Sequence, residues 1–226
     1  MTENQKSVYS RKNPLSAKIL SKELLTSKID EKKTWHIEID LIGSGMEFTP
    51  GDSLAIFPEN NPDLVNELLK LLNFTGNEIV PTPSKIETDL RNALTKDYAI
   101  TTPDKKLLRA VAEQVNNHTL SELLAPEKKQ ELNHYLWGRE VIDLILENPS
   151  VKFSAEEFVG LLKKLNVRLY SIASSLKHSP NQVDLTVAVV EYESHNRSRQ
   201  GVCSSWVSER TETVSYTHLR AHETVR

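Results

Sequence analysis

Two short stretches of this chain combine the side chains that could bind a phosphorylated aromatic cofactor. Residues 168–175 read Arg-Leu-Tyr-Ser-Ile-Ala-Ser-Ser. Arg168 offers a guanidinium for a pyrophosphate, Tyr170 an aromatic ring and Ser171 a hydroxyl. Residues 201–206 read Gly-Val-Cys-Ser-Ser-Trp, where glycine permits close backbone approach and small hydroxyl residues begin a helix whose N–H groups can bind phosphate. Together the stretches predict the two halves of a cofactor clamp.

Single side chains here also have ordinary explanations. Arg-x-Tyr-Ser on one strand can be simple alternation between surface and core, and we expect Cys203 to be a buried structural thiol rather than a nucleophile. His36 is expected to face water and Trp35 the core, so neither requires a catalytic role. We predict no metal-binding residue.

The composition indicates a globular protein. Of 226 residues, 38% are hydrophobic and 26% are charged. The 28 basic and 31 acidic residues give a net charge of -3, and no long basic run occurs, so we expect no nucleic-acid partner. No signal-peptide pattern or run of ~18 apolar residues is found, and a single cysteine cannot form an internal disulfide. We therefore expect a cytoplasmic protein that has no membrane partner.

The spacing of apolar residues changes twice along the chain. Residues 34–41 alternate between apolar and polar side chains, as a half-buried strand does, and further strands are predicted at 15–25, 46–48 and 53–57. At Asn61-Pro62 a helix start is predicted, followed by apolar residues at helical spacing. The predicted helices continue to about Leu165 and cover 62–72, 86–94, 104–116, 121–124, 126–135, 140–146 and 155–165. Strand alternation returns at 167–172 and 182–192.

These period changes predict an α+β fold, in which an antiparallel β-barrel is split by an all-helical insertion. The predicted parts are a polar leader (1–13), the first part of the barrel (14–60), the helical connecting insertion (61–166), the second part of the barrel with both cofactor stretches (167–213), and a tail (214–226).

The tail resembles the translation of a sequencing-library adapter. Residues 214–224 read Val-Ser-Tyr-Thr-His-Leu-Arg-Ala-His-Glu-Thr, so we expect the genuine sequence to stop near Thr213; an ordinary helical end is the alternative. His218 and His222 are accordingly given no metal-binding role, despite a spacing that would suit a helical pair. We expect the last barrel strand to be missing, which would leave an open sheet edge.

Taken in order, the motifs resemble the FAD-binding part of the NADPH-dependent diflavin reductase family. The resemblance extends from about Tyr9 to about Arg210. It rests on Ser-Arg-Lys-Asn-Pro at 10–14, His-Ile-Glu-Ile-Asp at 36–40, Pro-Gly-Asp-Ser-Leu at 50–54, Pro-Glu-Asn-Asn at 58–61, and the stretches 168–175, 186–192 and 201–206. It implies a ferredoxin-reductase-type antiparallel barrel, with FAD bound, interrupted by a helical connecting segment.

The resemblance also implies roles for individual residues. Arg168, followed by Leu169, would pair with the FAD pyrophosphate, Tyr170 would pack on the isoalloxazine ring, and Ser171 would lie near flavin N5 as the catalytic hydroxyl. The other implied FAD contacts are Thr186, Val187 and Ala188 at the polar edge of the flavin, Tyr192 near the adenosine, and Gly201, Val202, Cys203 and Ser204 in a second phosphate loop.

The implied function is that of an NADPH-dependent flavoprotein oxidoreductase. The nearest members pass electrons from NADPH through FAD to a sulfite-reducing haemoprotein in cysteine biosynthesis, which makes NADPH a co-substrate of the longer protein and places FMN on a separate partner. The 7 glycines form no Gly-x-Gly-x-x-Gly turn, so we expect no nicotinamide module within this stretch. Two alternatives stay open: another diflavin-type reductase serving a haem protein, ferredoxin or flavodoxin, and a non-catalytic FAD-containing docking module.

Overall fold

The computed structural model describes residues 9–10, 13–28, 32–213 and 219–224, the last range by its backbone. In chain order the strands are β1 (Leu15–Ala17), β2 (Ile19–Leu24), β3 (Thr34–Asp40), β4 (Ser53–Phe57), β5 (Ile79–Pro81), β6 (Glu87–Asp89), β7 (Tyr98–Ala99), β8 (Lys163–Lys164), β9 (Arg168–Ser171), β10 (Gln182–Ala188), β11 (Glu191–Ser194), β12 (Arg197–Gln200) and β13 (Leu219–Thr224). The helices are α1 (Pro62–Leu71), α2 (Leu90–Lys96), α3 (Lys105–Gln114), α4 (His118–Leu123), α5 (Lys129–Leu136), α6 (Val141–Glu147), α7 (Ala155–Gly160) and α8 (Val202–Ser205). A 3-10 turn covers Pro126–Lys128 and a π-helical turn covers Trp206–Arg210.

The chain divides into two compact units. The sheet unit comprises Met1–Pro58, Val167–Tyr192 and Gln200–Arg226, and the helical unit comprises Glu59–Asn166 and Glu193–Arg199. The sequence-based division placed residues 193–199 with the second part of the barrel, and the structure corrects this. The physical reason is a set of ion pairs between this segment and carboxylates of the helical unit, described below.

The sheet unit contains a three-stranded sheet of order β10-β3-β2 and a four-stranded sheet of order β1-β13-β4-β9, and all their pairings are antiparallel. The alternation predicted for β3 is observed, since Ile37 and Ile39 are fully buried while His36 and Glu38 lie on the opposite face. Val183, Leu185 and Val187 of β10 join the same core. Alternating apolar side chains thus fix which face of this sheet is buried.

The predicted strand at residues 46–48 is absent from the structure. Met46 and Phe48 are nevertheless buried in the sheet-unit core, from a segment without regular structure between Gly45 and Thr49. Burial of alternate apolar side chains is therefore what produced the strand-like pattern. The backbone does not have strand geometry here, so the strand predicted from this pattern is wrong.

Helices α1 to α7 surround one apolar core in the helical unit, made of residues such as Leu68, Leu94, Leu108 and Phe158. Their starts follow the expected chemistry: the Asn61 side chain accepts from the backbone N–H of Asp63 before α1. Ser154 and Glu157 form a capping box before α7. The core and caps together explain why this stretch is mainly helical.

The insertion is not all-helical, however. β5 pairs with β6 and β7 pairs with β8, so residues predicted as the start of a helix at 86–89 are partly a strand. The Asp89 side chain caps α2 by accepting from the N–H of Asn92, which delays the helix start to Leu90. Asp89 can both end β6 and cap α2, because an N-cap residue has the extended dihedrals of a strand.

Residues 193–199 form a tight turn and are held by ion pairs. His195 and Asn196 both have positive φ, as the central residues of a type I′ hairpin turn between β11 and β12 require. Arg199, 2% exposed, donates to Glu140 Oε2 at 3.0 Å and to both oxygens of Asp143 at 2.7 Å. Arg197 similarly pairs with Glu67 of α1. These pairs place the segment in the helical unit.

Part of the predicted tail lies within the four-stranded sheet, and the expected absence of the last barrel strand stays a prediction. Residues 219–224 form β13 between β1 and β4, with Ala221 opposite Leu15 on one side and opposite Ile56 on the other. A ladder is made by backbone groups, which every non-proline residue supplies, so this position does not depend on a particular sequence. The adapter origin of residues 214–226 stays a prediction. The predicted leader lies largely outside the described residues.

Within the part of the chain that the structure describes, every helix is too short or too polar to cross a bilayer.

Candidate functional site

The first predicted stretch lies on an edge strand that meets another edge strand at a single point. β9 is the outermost strand of its sheet and β10 the outermost strand of the other. They touch through one antiparallel bridge, Ile172 with Leu185, and through the N–H of Ala173, which donates to the carbonyl of Asp184 at 2.8 Å. From this junction residues 171 to 168 and residues 186 to 188 run in the same direction. Both sets of predicted residues therefore start at this junction and lie on neighbouring strand edges.

The residues of β9 divide between its two faces. Tyr170 lies opposite Leu54 of β4 and packs on the sheet-unit core, and Arg168 lies on the same face. Leu169 and Ser171 are exposed on the other face. A flat ring that touches both Tyr170 and Ser171 must therefore pass over the free edge of the strand, where unpaired N–H and C=O groups point outward. The sequence pattern did not indicate this edge position.

The predicted residues of β10 differ in what they can offer a ligand. Val187 is fully buried in the core, backbone included. Thr186 is exposed, and Ala188 is half-buried. Tyr192 lies on β11 and is exposed. The prediction that this strand uses its backbone at the site stays a prediction.

The second stretch forms a loop that is hydrogen-bonded to Val190, the second residue after β10. Gly201 N–H donates to the carbonyl of Val190 at 2.8 Å, and Val190 N–H donates to Ser204 Oγ at 3.1 Å. A Cβ on Gly201 would lie 2.6 Å from Ser204 Oγ and 2.8 Å from Val190 Cβ, so no larger residue fits without movement. Gly201 is followed at once by α8, whose first N–H groups lack partners within the helix.

The hydroxyl of Ser204 is used inside the protein. Ser204 is buried, and its Oγ both accepts from Val190 N–H and donates to the Gly201 carbonyl at 3.3 Å. Its side chain therefore shapes the loop. A role of Ser204 toward phosphate would have to come from its backbone, which is a narrower role than the sequence pattern predicted.

Tyr170 and Cys203 join the two stretches. Their side chains are hydrogen-bonded, and Arg168 is close enough to act on both electrostatically. Burial raises the pKa of the Cys203 thiol to about 12 and also raises the pKa of the Tyr170 hydroxyl. Cys203 is a buried, protonated thiol, as expected, and the thiolate needed for nucleophilic chemistry is strongly disfavoured.

Two residues that sequence reasoning did not select also shape this site. Val190 holds the loop through its backbone N–H and C=O, which no side-chain pattern reveals. Arg210 Nη2 donates to the Val202 carbonyl at 3.0 Å and acts electrostatically on Cys203. The sequence indicated Arg210 only as a basic residue that follows shortly after the loop.

A family model for the FAD binding domain matches residues 7–206, which is most of the chain. The chain belongs to this FAD-binding domain family. In this domain both predicted stretches, 168–175 and 201–206, fall within the matched region.

Two curated relatives of this FAD-binding domain have the same name. The chain is similar to the sulfite reductase [NADPH] flavoprotein alpha-component of Bacillus subtilis (strain 168), with 42% identity over 207 residues, 91% of this chain and 34% of the relative. The protein of that name from Aliivibrio fischeri is 40% identical over 206 residues, 91% of this chain and 33% of the relative. The chain thus spans about a third of the length of the curated relatives it matches.

The residues present fit FAD. An aromatic ring at the strand edge, an exposed guanidinium on the same face, and a glycine loop that begins a helix match the ring and pyrophosphate of a flavin dinucleotide. The free edges of β9 and β10 add backbone donors and acceptors for the polar edge of the ring. No part of this set needs a metal ion.

Proposed function

We propose that Arg168, Leu169, Tyr170 and Ser171, with Thr186 to Ala188, Tyr192 and Gly201 to Ser204, form the FAD site of this domain. The observation that carries the proposal is the single bridge between β9 and β10, from which both predicted sets run side by side. A cofactor laid along these edges would satisfy the backbone groups that the separated strands leave open.

We further propose that the longer protein transfers electrons from NADPH through FAD to a sulfite-reducing haemoprotein, in the cytoplasm. The identity to relatives named for that activity supports this proposal. Bound FAD supplies the hydride-accepting and electron-passing chemistry, and the protein supplies binding and orientation. Arg168 neutralises pyrophosphate charge, Tyr170 positions the ring, and the Ser171 hydroxyl offers a hydrogen bond at the reacting edge.

The FAD site is tested by matched substitutions in the whole chain. Arg168→Ala should lower FAD affinity by about 1.5 to 3 kcal/mol, because it removes a charge-assisted hydrogen bond. Arg109→Ala, an exposed arginine on α3, is the control. Retained FAD is measured by absorbance after gel filtration, and affinity by flavin fluorescence. If both variants retain the same amount of FAD, Arg168 does not belong to the FAD site.

The electron-transfer role is tested in a chimaera. The region of the Bacillus subtilis flavoprotein that matches this chain is replaced by residues 7–206, and NADPH-dependent sulfite reduction is assayed with the haemoprotein. We expect activity, and we expect Ser171→Ala to slow flavin reduction while FAD stays bound. Ser198→Ala, an exposed serine on β12, is the control. A chimaera that binds FAD stoichiometrically yet never reduces sulfite would refute the electron-transfer role and leave the FAD site standing.

A further inference from the structure

Three side chains of the types that bind metals meet on the face of β3 and β10 opposite the core. His36 Nε2 lies 3.6 Å from Glu38 Oε1 and 4.0 Å from Asp184 Oδ2. Their ligand atoms all lie within 4.8 Å of one another, and no other group of three such side chains is found among the described residues. All three belong to the sheet unit.

The strand register holds these side chains together. Asp184 on β10 lies directly opposite Glu38 on β3, and His36 follows on the same face of β3. Gln182 Nε2 donates to Asp184 Oδ1 at 2.9 Å, which leaves Oδ2 turned toward His36. The backbone N–H of Asp184 donates to Ser174 Oγ at 2.9 Å. The positions of the three side chains are therefore fixed by the pairing of β3 with β10 and by hydrogen bonds from neighbouring residues, as the positions of ligands are in metal sites of proteins.

The charge on this face is unbalanced. Two carboxylates placed directly opposite each other on paired strands repel. Glu23 lies opposite His36, and Asp40 adds a further acidic residue to β3. None of the strand positions on this face of β2, β3 or β10 carries lysine or arginine. A dication bound between these side chains would balance the negative charge of the two carboxylates.

We propose that His36, Glu38 and Asp184 bind one divalent transition-metal ion. One imidazole nitrogen with two carboxylates suits zinc, cobalt or nickel better than magnesium or calcium, which prefer oxygen ligands. The observed separations are close to the ~3.4 Å between ligands of a tetrahedral ion bound at about 2.1 Å, so small side-chain rotations complete the site. The side chains are 27%, 32% and 16% exposed, which leaves a position for water. The ion would join β3 to β10, and nothing in this proposal depends on FAD.

The test uses the whole chain with His218→Gln and His222→Gln, because those two histidines could bind ions of their own. Zinc and cobalt ions are titrated by calorimetry, and the melting temperature is recorded with each ion and with chelator. We expect one ion per chain and a higher melting temperature with metal. His36→Gln and Asp184→Asn should each weaken binding by at least about tenfold, whereas His118→Gln, an exposed histidine on α4, should not.

Two results would overturn the proposal. One is a parent chain that binds no ion stoichiometrically; the other is binding that stays equally tight in His36→Gln and Asp184→Asn. Asp184→Asn keeps the shape of the side chain and the contact with Gln182, so it decides the matter even if His36→Gln folds poorly. Circular dichroism of each variant verifies folding before titration.

Discussion

Cys203 shows at the scale of a residue how burial determines chemistry. It is the single cysteine, 3% exposed, and hydrogen-bonded to Tyr170. Sequence position alone predicted a packed thiol, because small residues commonly lie beneath a phosphate turn. The link to Tyr170 could not be predicted, since it joins residues on separate elements whose distance depends on the folded sheets.

The thiol of Cys203 should be nearly inert in the folded protein. With a pKa of about 12, the thiolate fraction at pH 8 is on the order of one in ten thousand, whereas an unfolded cysteine is partly ionised at this pH. We expect the reaction with a disulfide reagent such as DTNB to be at least about a hundredfold slower in the native state than in urea. Fast stoichiometric labelling of native protein would show that the thiol is accessible.

At the scale of elements, the loop from Gly201 to Ser204 depends on close packing against Val190. The order of the motifs predicted the loop, and its composition predicted the glycine. What it could not predict is that the hydroxyl of Ser204 faces inward, because the same residue type serves equally well as a phosphate ligand or as a backbone cap. Patterns of residue types leave the direction of a side chain open.

Gly201→Ala should destabilise the sheet unit and reduce FAD content. The added Cβ would meet Ser204 Oγ and Val190 Cβ well inside contact distance, and such overpacking typically costs about 1 to 3 kcal/mol. Gly160→Ala is the matched control, since nothing lies within 4 Å of the Cβ it adds. Urea unfolding and bound FAD are measured for both. Similar stability of the two variants would contradict the packing argument.

The Arg199 cluster explains why the hairpin turn belongs with the helices. The sequence divided the chain at the changes of period, and period carries no information about a buried ion pair. Arg199 is enclosed by Glu140 and Asp143, which a capping box already orients at the start of α6. Burial raises the pKa of Glu140, and the nearby Arg199 guanidinium opposes that rise.

Arg199→Met should cost about 3 to 5 kcal/mol at neutral pH, because it leaves two buried carboxylates without their partner. The pKa of Glu140 should then rise further. A carboxyl with a raised pKa in the folded state favours folding below its ordinary value and loses that contribution as pH rises through the folded pKa. The loss should therefore be larger at pH 8 than at pH 5, by urea unfolding. Arg109→Met is the exposed control, and a pH-independent loss would argue against Glu140.

At the scale of the whole molecule, the described residues form a sheet unit, which contains the four-stranded and the three-stranded sheet, and a helical unit. The broad α+β class follows from the two changes of period. The small β5–β6 and β7–β8 pairs do not, because strands of two or three residues are too short to show alternation. The identity of β13 could not be predicted either, since its place is defined by the edges of β1 and β4.

A proline in β13 should disturb the four-stranded sheet. β13 pairs with β1 through residues 219–221 and with β4 through residues 220–224, where His222 lies opposite Ala55. His222→Pro places a residue without a backbone N–H, and with a fixed φ, inside the ladder with β4. We expect a lower melting temperature and more aggregation than in His222→Thr, the matched control. Truncation after Thr213, which removes β13 entirely, should have a larger effect. Unchanged melting in all three variants would show that this strand contributes little to stability.

The central place of β13 has a consequence for association between chains. A sheet that lacks its inner strand has two facing edges that together accept a strand from both sides, and a copy or a short peptide in extended form can provide it. Chains truncated after Thr213 should therefore act as strand acceptors, recovering their melting temperature when a peptide with the sequence of residues 214–226 is added. Such complementation in trans would turn the domain into a two-part reporter that assembles by strand donation.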